Sequence, residues 1–502
     1  MSNQCAAESP DGFAGARERF ETILSWLDGG PSTLLDHGEL ERQLDIEGRR
    51  LLRQLLQDHL DLRGMREIRV KVRDAGGHCR SRVETGHTRG LATIFGQVTV
   101  TRLAYREPDL MNLHPADAVL NLPVEKHSHG LRQLAAIEAS RGSFDAAVEA
   151  IQRSTGQHLG KRQVEDLASG AAVDFEAFYA QRQAPTGHDD DVLVLSCDGK
   201  GVVMRPNALR PATAKAAATT NPKLATRLSK GEKRGRKRMA EVGAVYDATP
   251  VPRTPADILP GNDTQRRDAT RGPTAHNKWL TASVAHDAAA IVAAIFDEAD
   301  RRDPNHTRTW VALVDGNNHQ IDRIHAEART RKVNVPILID FVHVLEYLWR
   351  AAWSFHAEGD PAADEWVRRH AQGVLDGGAT RVAGNIRGAA TRAGLEPAQR
   401  ANADTCAKYL TNKRAYLDYP TALKQGWPIA TGIIEGACRH LVKDRMDLTG
   451  ARWGLHGAEA ILKLRALRCN GDFDTYWRYH LAQEQQRVHQ SRYADNTVPK
   501  AA

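Results

Sequence analysis

The 502-residue sequence predicts a multidomain α/β protein organised around a five-stranded mixed sheet with flanking helices. Three observations carry that expectation. The run Val192-Leu-Val-Leu-Ser-Cys-Asp-Gly-Lys-Gly201 sets four apolar residues before a small-residue turn, with Asp198 where the strand should end. Trp310-Val-Ala-Leu-Val-Asp-Gly-Asn317 repeats the pattern around Asp315. Between and beyond these runs, β-branched stretches alternate with helical spacing, the rhythm of helices packed on a sheet. A chain of this length exceeds one ordinary core, so two to four domains are expected.

Composition narrows the classes. Charged residues make up 26% and apolar residues 41% of the chain, the balance of a soluble globular protein. A net charge of +7 leans toward a polyanionic partner. Six cysteines are scattered with no Cys-x-x-Cys pair, which fits reduced thiols better than a disulfide frame or a zinc site. No apolar run approaches the roughly 18 residues of a membrane helix. The N-terminus lacks a signal-peptide core. The expectation is a cytoplasmic protein with no membrane partner.

The elements follow in order. Residues 1–75 read as a helical region, with residues 1–10 outside any ordered element. Phe20, Ile23, Leu24 and Leu27, then Leu51, Leu52, Leu55 and Leu56, recur at helical spacing, with a break at Gly29-Gly-Pro-Ser32. A docking or dimerisation module is the plainest reading of them. Residues 76–180 form a second region. Alternation over 81–107 predicts strands, with Leu91 to Tyr105 as a hairpin turning near Phe95-Gly-Gln97. His78, Cys79 and His87 lie nearby, but without a second cysteine pair they make a poor zinc site. From Ser143 to Leu167 a short helix reaches a turn at Gly156, and a second begins near Leu159 with Lys161, Arg162 and Gln163 in its first turns. That is the outline of a helix-turn-helix presenting polar residues to base edges; an ordinary helical hairpin has nearly the same pattern.

After a polar linker at 181–191, residues 190–348 carry the sheet. Between Lys200 and Arg238 stand twelve Lys or Arg against one acid, Glu232. This basic insertion, 204–238, includes Lys230, Lys233, Arg234, Arg236, Lys237 and Arg238. A solvated face is the ordinary reading of such a run, yet its place directly after Asp198 favours contacts to a phosphate backbone. Strands are expected at 239–246, 279–285, 311–314 and 335–339. Helices are expected at 288–299, with Asp287 as N-cap, and at 320–331. Three consecutive strands, then helix, strand, helix, strand, is the order of an RNase H-like domain. Its first and fourth strands are neighbours, so Asp198 and Asp315 would meet. Residues 349–430 contain no strand candidate and read as a helical insertion. A helix at 432–446 and the tail of the core fill 431–480, and 485–502 read as a flexible tail.

Two carboxylates side by side at strand tips would hold a divalent metal through oxygen ligands, the setting of Mg²⁺-dependent phosphoryl transfer. Such a site needs a third. Glu435 is the best candidate, a lone carboxylate among Ile433, Ile434, Gly436 and Ala437, where an unpaired charge is costly unless it meets a cation. The bland alternative for Glu435 is an ion pair with Arg439 one turn on; for Asp198 and Asp315 it is a cap or turn. Asp340 can cap the helix that follows it. His343, one turn further, is placed to orient a carboxylate, to contact the scissile phosphate, or only to pack.

These residues also carry a resemblance. Asp198-Gly-Lys-Gly-Val-Val-Met-Arg-Pro206, Arg227-Leu-Ser-Lys-Gly-Glu-Lys-Arg234 and Arg238-Met239 resemble the bacterial ISKra-type insertion-sequence transposases. So do Val314-Asp-Gly316, Asp340-Phe-Val-His-Val-Leu-Glu-Tyr-Leu-Trp349 and Gly432-Ile-Ile-Glu-Gly-Ala-Cys-Arg-His-Leu-Val-Lys-Asp-Arg-Met446. Thr449-Gly-Ala-Arg-Trp453, Leu113-His-Pro-Ala-Asp117 and Leu120-Asn-Leu-Pro123 complete the match, which covers roughly residues 80–475. The family is similar to other DDE transposases, with an RNase H-like core interrupted by a helical insertion. The resemblance implies Asp198, Asp315 and Glu435 as a triad holding Mg²⁺, with Mn²⁺ as substitute, and Asp340-x-x-His343 as a supporting motif. It implies DNA contacts from Arg445, Arg452 and Trp453. The implied activity is cleavage at the terminal inverted repeats and joining of the 3′-hydroxyl to target DNA, by a homo-oligomer assembled on DNA in the bacterial nucleoid. An RNase H-like nuclease that does not join, and a silent DNA-binding derivative, are the alternatives.

Overall fold

The computed structural model describes residues 12–219, 236–261, 263–448 and 450–500. Mixed α/β architecture holds throughout, and the described residues fall into two compact units, 12–180 with 472–500, and 181–471. No helix among them is long and apolar enough to cross a membrane. The calls on residues 1–10 and on Lys230, Lys233 and Arg234 lie outside the described residues.

The first unit opens with helices α1 (Ala14–Asp28) and α2 (His37–Arg66). Asp36 starts α2 by accepting from the Glu39 amide at 2.8 Å, and buried Asp58 ties the two helices by accepting from the Ala16 amide at 2.7 Å. An antiparallel hairpin follows, β1 (Arg82–Thr93) and β2 (Gly96–Arg106), turning through Ile94 and Phe95. Then α3 (His129–Arg141), α4 (Phe144–Thr155) and α5 (Lys161–Gly170) pack as three short helices. Gly156 ends α4 with φ +71°, the left-handed C-cap that glycine adopts without strain.

Two boundaries expected from the sequence are corrected here. Residues 12–75 and 76–180 share one unit, and the chain returns to it after residue 471. Residues 485–500 are no loose tail: Tyr493 is 3% exposed in a small core with Val72, Tyr105 and Leu113, and buried His489 contacts the Leu122 carbonyl at 2.8 Å. The polar composition of the segment hides two buried rings that fill gaps left by distant elements.

The second unit is built on β3 (Val192–Val203), β4 (Lys237–Ala248), β5 (Ala275–Ser283), β6 (Trp310–Val314) and β7 (Ile337–Ile339), in the spatial order β5-β4-β3-β6-β7. The first three pair antiparallel; β6 and β7 run parallel to β3. Counting within the sheet, strands one and four are adjacent. Helix α6 (Ala288–Arg302) packs on β4 so closely that a side chain at Gly243 would lie 2.6 Å from Ile295. Next to α6 lies α7 (Asn318–Arg331). Val192 and Val194 of β3 and Val311 and Leu313 of β6, alternate residues and therefore one face, share a core with α8 (Phe341–Ala352), α9 (Pro361–Leu375), α10 (Ala379–Arg392) and α11 (Pro397–Asn412). The stretch 349–430 is thus helical, as read.

The closing helix differs from expectation. Instead of one α-helix over 432–446, α12 (Gly432–Ala437) passes into a π-helical turn at Cys438–Lys443 before a last α-turn at Asp444–Met446. Such wide turns are rare and gather at functional sites. Helix α13 (Leu455–Cys469) then anchors to the end of β5, where Glu459 accepts from Ser283 and from the amides of Val284 and Ala285 at 2.9–3.1 Å.

Candidate active site

The pairing of β3 with β6 ends at Leu195 and Ala312, three residues before Asp198 and three before Asp315. The two aspartates therefore stand at the same level of neighbouring parallel strands. Asp198 is not at the end of its strand, as expected: β3 continues to Val203 because β4 stays bonded to it, Asp198 opposite Val242. Its Oδ1 accepts from the Gly199 amide at 2.6 Å and its Oδ2 from the Cys438 thiol at 3.2 Å. Asp315 leaves β6 directly into a turn. Gly316 there has φ +95°, and a side chain on it would lie 2.8 Å from the Tyr409 hydroxyl. Asp315 Oδ1 accepts from the Asn317 amide at 2.9 Å, and its carbonyl accepts from Tyr409 at 3.2 Å. Both aspartates are half-buried.

Glu435 is exposed on α12. Partial loss of solvent around its carboxyl raises its pKa, and Asp340, Glu346 and Asp198 raise it further, with His343 opposing. Its field is shared with one aspartate of the pair. Arg439, which would neutralise it on a solvated helix face, lies 3.7 Å from Asp444 instead. Asp340 is 2% exposed, and both its oxygens have donors: Oδ1 takes the Val342 amide at 2.8 Å, capping α8, and Oδ2 takes the Thr431 hydroxyl. It joins α8 to Thr431, the residue preceding α12. His343, half-buried, has Nδ1 3.7 Å from Glu346 and its ring 6.1 Å from Tyr409, which stacks on Tyr347 at 3.9 Å.

Two further residues lie close to Asp198 and carry no expectation from the sequence. Glu241 on β4 sits opposite Gly199. Burial raises its pKa, Arg210 and His319 oppose the rise, and Asp198 adds to it. The signal was available: an acid between Ala240 and Val242, within the otherwise uncharged run Met239 to Tyr246, needs a reason. Cys438 is the other, and nothing local in the sequence links it to a residue 240 positions away.

Hard carboxylate oxygens suit Mg²⁺ or Mn²⁺, and like charge accumulating at Glu435 is what a cation would relieve. Yet among the described residues no group of three or more His, Cys, Asp or Glu stands close enough to hold a metal ion. Asp198 and Asp315 share a level of the sheet, but among the described residues the three carboxylates are not gathered into one set.

The expected DNA contacts divide. Lys161, Arg162 and Gln163 are exposed at the start of α5, which begins at Lys161 rather than Leu159. Lys161 pairs with Asp145 at 2.6 Å, Arg162 with Asp166 at 3.2 Å, and Gln163 caps the Gly160 amide at 2.9 Å. Arg236 and Lys237 are exposed, whereas Arg238 donates to the carbonyls of Ala208, Val284 and Ala285 and so fastens the insertion to the residues that follow β5. Arg452 is exposed. Arg445 is a correction. It is 2% exposed, its guanidinium lies 4.7 Å over the Trp453 ring, and burial lowers its pKa to about 10, so it packs rather than reaching a duplex. Trp453, 5% exposed, is withdrawn with it. The described cysteines are free thiols.

No model of a known protein family matches the chain, and no curated protein matches it.

Proposed function

We propose that the chain is a DDE transposase of a bacterial insertion sequence, cutting DNA at element ends and joining the 3′-hydroxyl to target DNA. The observation that supports it most is the pair of aspartates at one level of adjacent parallel strands, with Glu435 in the field of Asp198. A sheet of order three-two-one-four-five, strands four and five parallel to one, is what an RNase H-like core requires. Mg²⁺ or Mn²⁺ held by Asp198, Asp315 and Glu435 would supply charge neutralisation at the reacting phosphorus and acidify the attacking oxygen.

The chain's own groups supply the rest. Cys438 and Gly199 fix the Asp198 carboxylate between two donors, and Gly316 turns Asp315 off its strand. Asp340 pins the start of α8, which carries His343, to the approach to α12, which carries Glu435. Exposed Arg236, Lys237 and Arg452, with Lys161 and Arg162 in the first unit, offer positive charge to phosphates. A homo-oligomer on DNA follows from the need to hold two ends together.

The deciding experiment incubates full-length protein with labelled element ends, flanking DNA and Mg²⁺ or Mn²⁺. Wild type is expected to cleave and join, and Asp198→Asn and Glu435→Gln to lose roughly 10²-fold or more in rate while still binding DNA. Cleavage without joined product would make the chain a nuclease. Equal activity in wild type and Glu435→Gln would remove Glu435 from the triad.

A further inference from the structure

We infer that a cavity beside the aspartate pair receives a single unstacked nucleobase of the DNA, held through its amino edge by Gln320 and Glu241. The inference rests on the DNA reading above and extends it to one nucleotide. The cavity measures about 250 Å³ and lies among β4, the start of α6, the turn after Asp315 and the foot of the basic insertion. That is below the roughly 300–1,000 Å³ of pockets for drug-sized ligands. It suits one flat ring system and not two.

Its lining is graded. Gln320 is 4% exposed, and its Oε1 has no hydrogen-bond partner. A buried acceptor without a donor is uncommon in a folded protein, and a donor on a ligand or a water completes it. Glu241 is a second acceptor on the same cavity, half-buried. Toward solvent the net sign reverses: exposed Lys237 and half-buried Arg210, tied to the His286 carbonyl at 3.0 Å, outnumber the one exposed acid, Asp287. Acceptors inside and cations outside repel a phosphate from the interior but hold one at the rim. A nucleotide turned out of its stack has that polarity, with N–H donors on the base and negative charge on the backbone. Glu241 also feels Asp198, so an occupied cavity would hold the strand beside the reacting carboxylates.

The test measures binding without metal, so no cleavage intervenes. Full-length protein is titrated by fluorescence anisotropy with labelled oligothymidylate, with the same strand carrying one internal 2-aminopurine, and with one carrying purine, which lacks the amine. Wild type is expected to favour the 2-aminopurine strand about 10-fold over the purine strand, within the range of a two-hydrogen-bond base contact. In Gln320→Leu that preference should fall to about one, with affinity for oligothymidylate and its salt dependence kept and the melting temperature not lowered. Thr213→Trp, which fills the cavity from its half-exposed side, should erase the preference as well and serves if Gln320→Leu fails to fold. Equal binding of all strands by wild type, or a preference that survives both substitutions, overturns the inference. If the chain binds no strand, the DNA reading falls and the cavity assignment with it. If it cleaves nothing but keeps the Gln320-dependent preference, only the catalytic reading falls.

Discussion

Asp198, within β3, is held by a thiol from the π-helical turn that follows α12. Cys438 is 6% exposed, at the first position of the π-helical turn, three residues after Glu435. Its hydrogen bond orients the Asp198 carboxylate, and under the proposed function it would act as an outer partner of a metal ligand. Cys438→Ala should raise the Mg²⁺ concentration for half-maximal cleavage by about 10- to 100-fold. Cys438→Ser, which keeps a donor, should recover most of the loss. An unchanged Mg²⁺ dependence in the alanine variant would reduce Cys438 to packing. At this scale the aspartates were legible because a buried apolar run ending in an acid and a glycine is rare. Glu241 and Cys438 were not read, since their meaning depends on which strand and helix lie opposite. Arg445 was misread for the same reason: a basic residue near a motif looks like a DNA contact until its guanidinium is found under Trp453.

Among elements, β4, α6 and β6 are locked by charges rather than by apolar packing alone. Asp247, fully buried, accepts from Arg308 at 2.7 Å and from Asn277 at 2.9 Å, with Arg302 at 3.5 Å. Arg302 in turn donates to buried Glu298 at 2.9 Å. Removing one partner of a buried network strands the others without countercharge. Asp247→Ala is therefore expected to lower stability by about 3–5 kcal/mol, read as a fall in the chemical-denaturation midpoint. A loss under about 1 kcal/mol would mean that water enters and repays the arginines. The strands themselves were legible, because runs such as Val192 to Leu195 and Val311 to Val314 are too short for helices and too apolar for loops. The π-helical turn was not. Its hydrophobic positions Leu441 and Val442 fit an α-helix equally well, and only the sheet and α13 packed against it select the wider coil.

Across the whole molecule the chain leaves its first unit at residue 180, builds the sheet unit, and returns at residue 472. The return completes a buried charge cluster. His480 contacts Asp174 at 2.6 Å, Arg487 bonds Asp174 at 2.9 and 3.1 Å, and Glu484 pairs with buried Arg132 at 2.9 Å. Burial alone would raise the Asp174 pKa, but the hydrogen bonds from His480 and Arg487 outweigh it and hold the group at about 2, below its ordinary 3.8. A depressed carboxylate contributes stability above its unfolded pKa and loses it as pH falls through the folded value. Melting of this unit should thus weaken between about pH 4 and pH 2, by about 1 kcal/mol for Asp174 given its partly solvated partner Arg487. Asp174→Asn should flatten that part of the curve. Ending the chain at residue 471 makes the stronger test. It removes Tyr476, whose hydroxyl donates to the Ala171 carbonyl at 2.6 Å, along with His480, Glu484, His489 and Tyr493, and leaves Arg132 buried without its acid. Calorimetry of the truncated chain should lose the transition of residues 12–180 and keep that of 181–471. If both transitions persist, the returning segment only decorates a unit that folds without it.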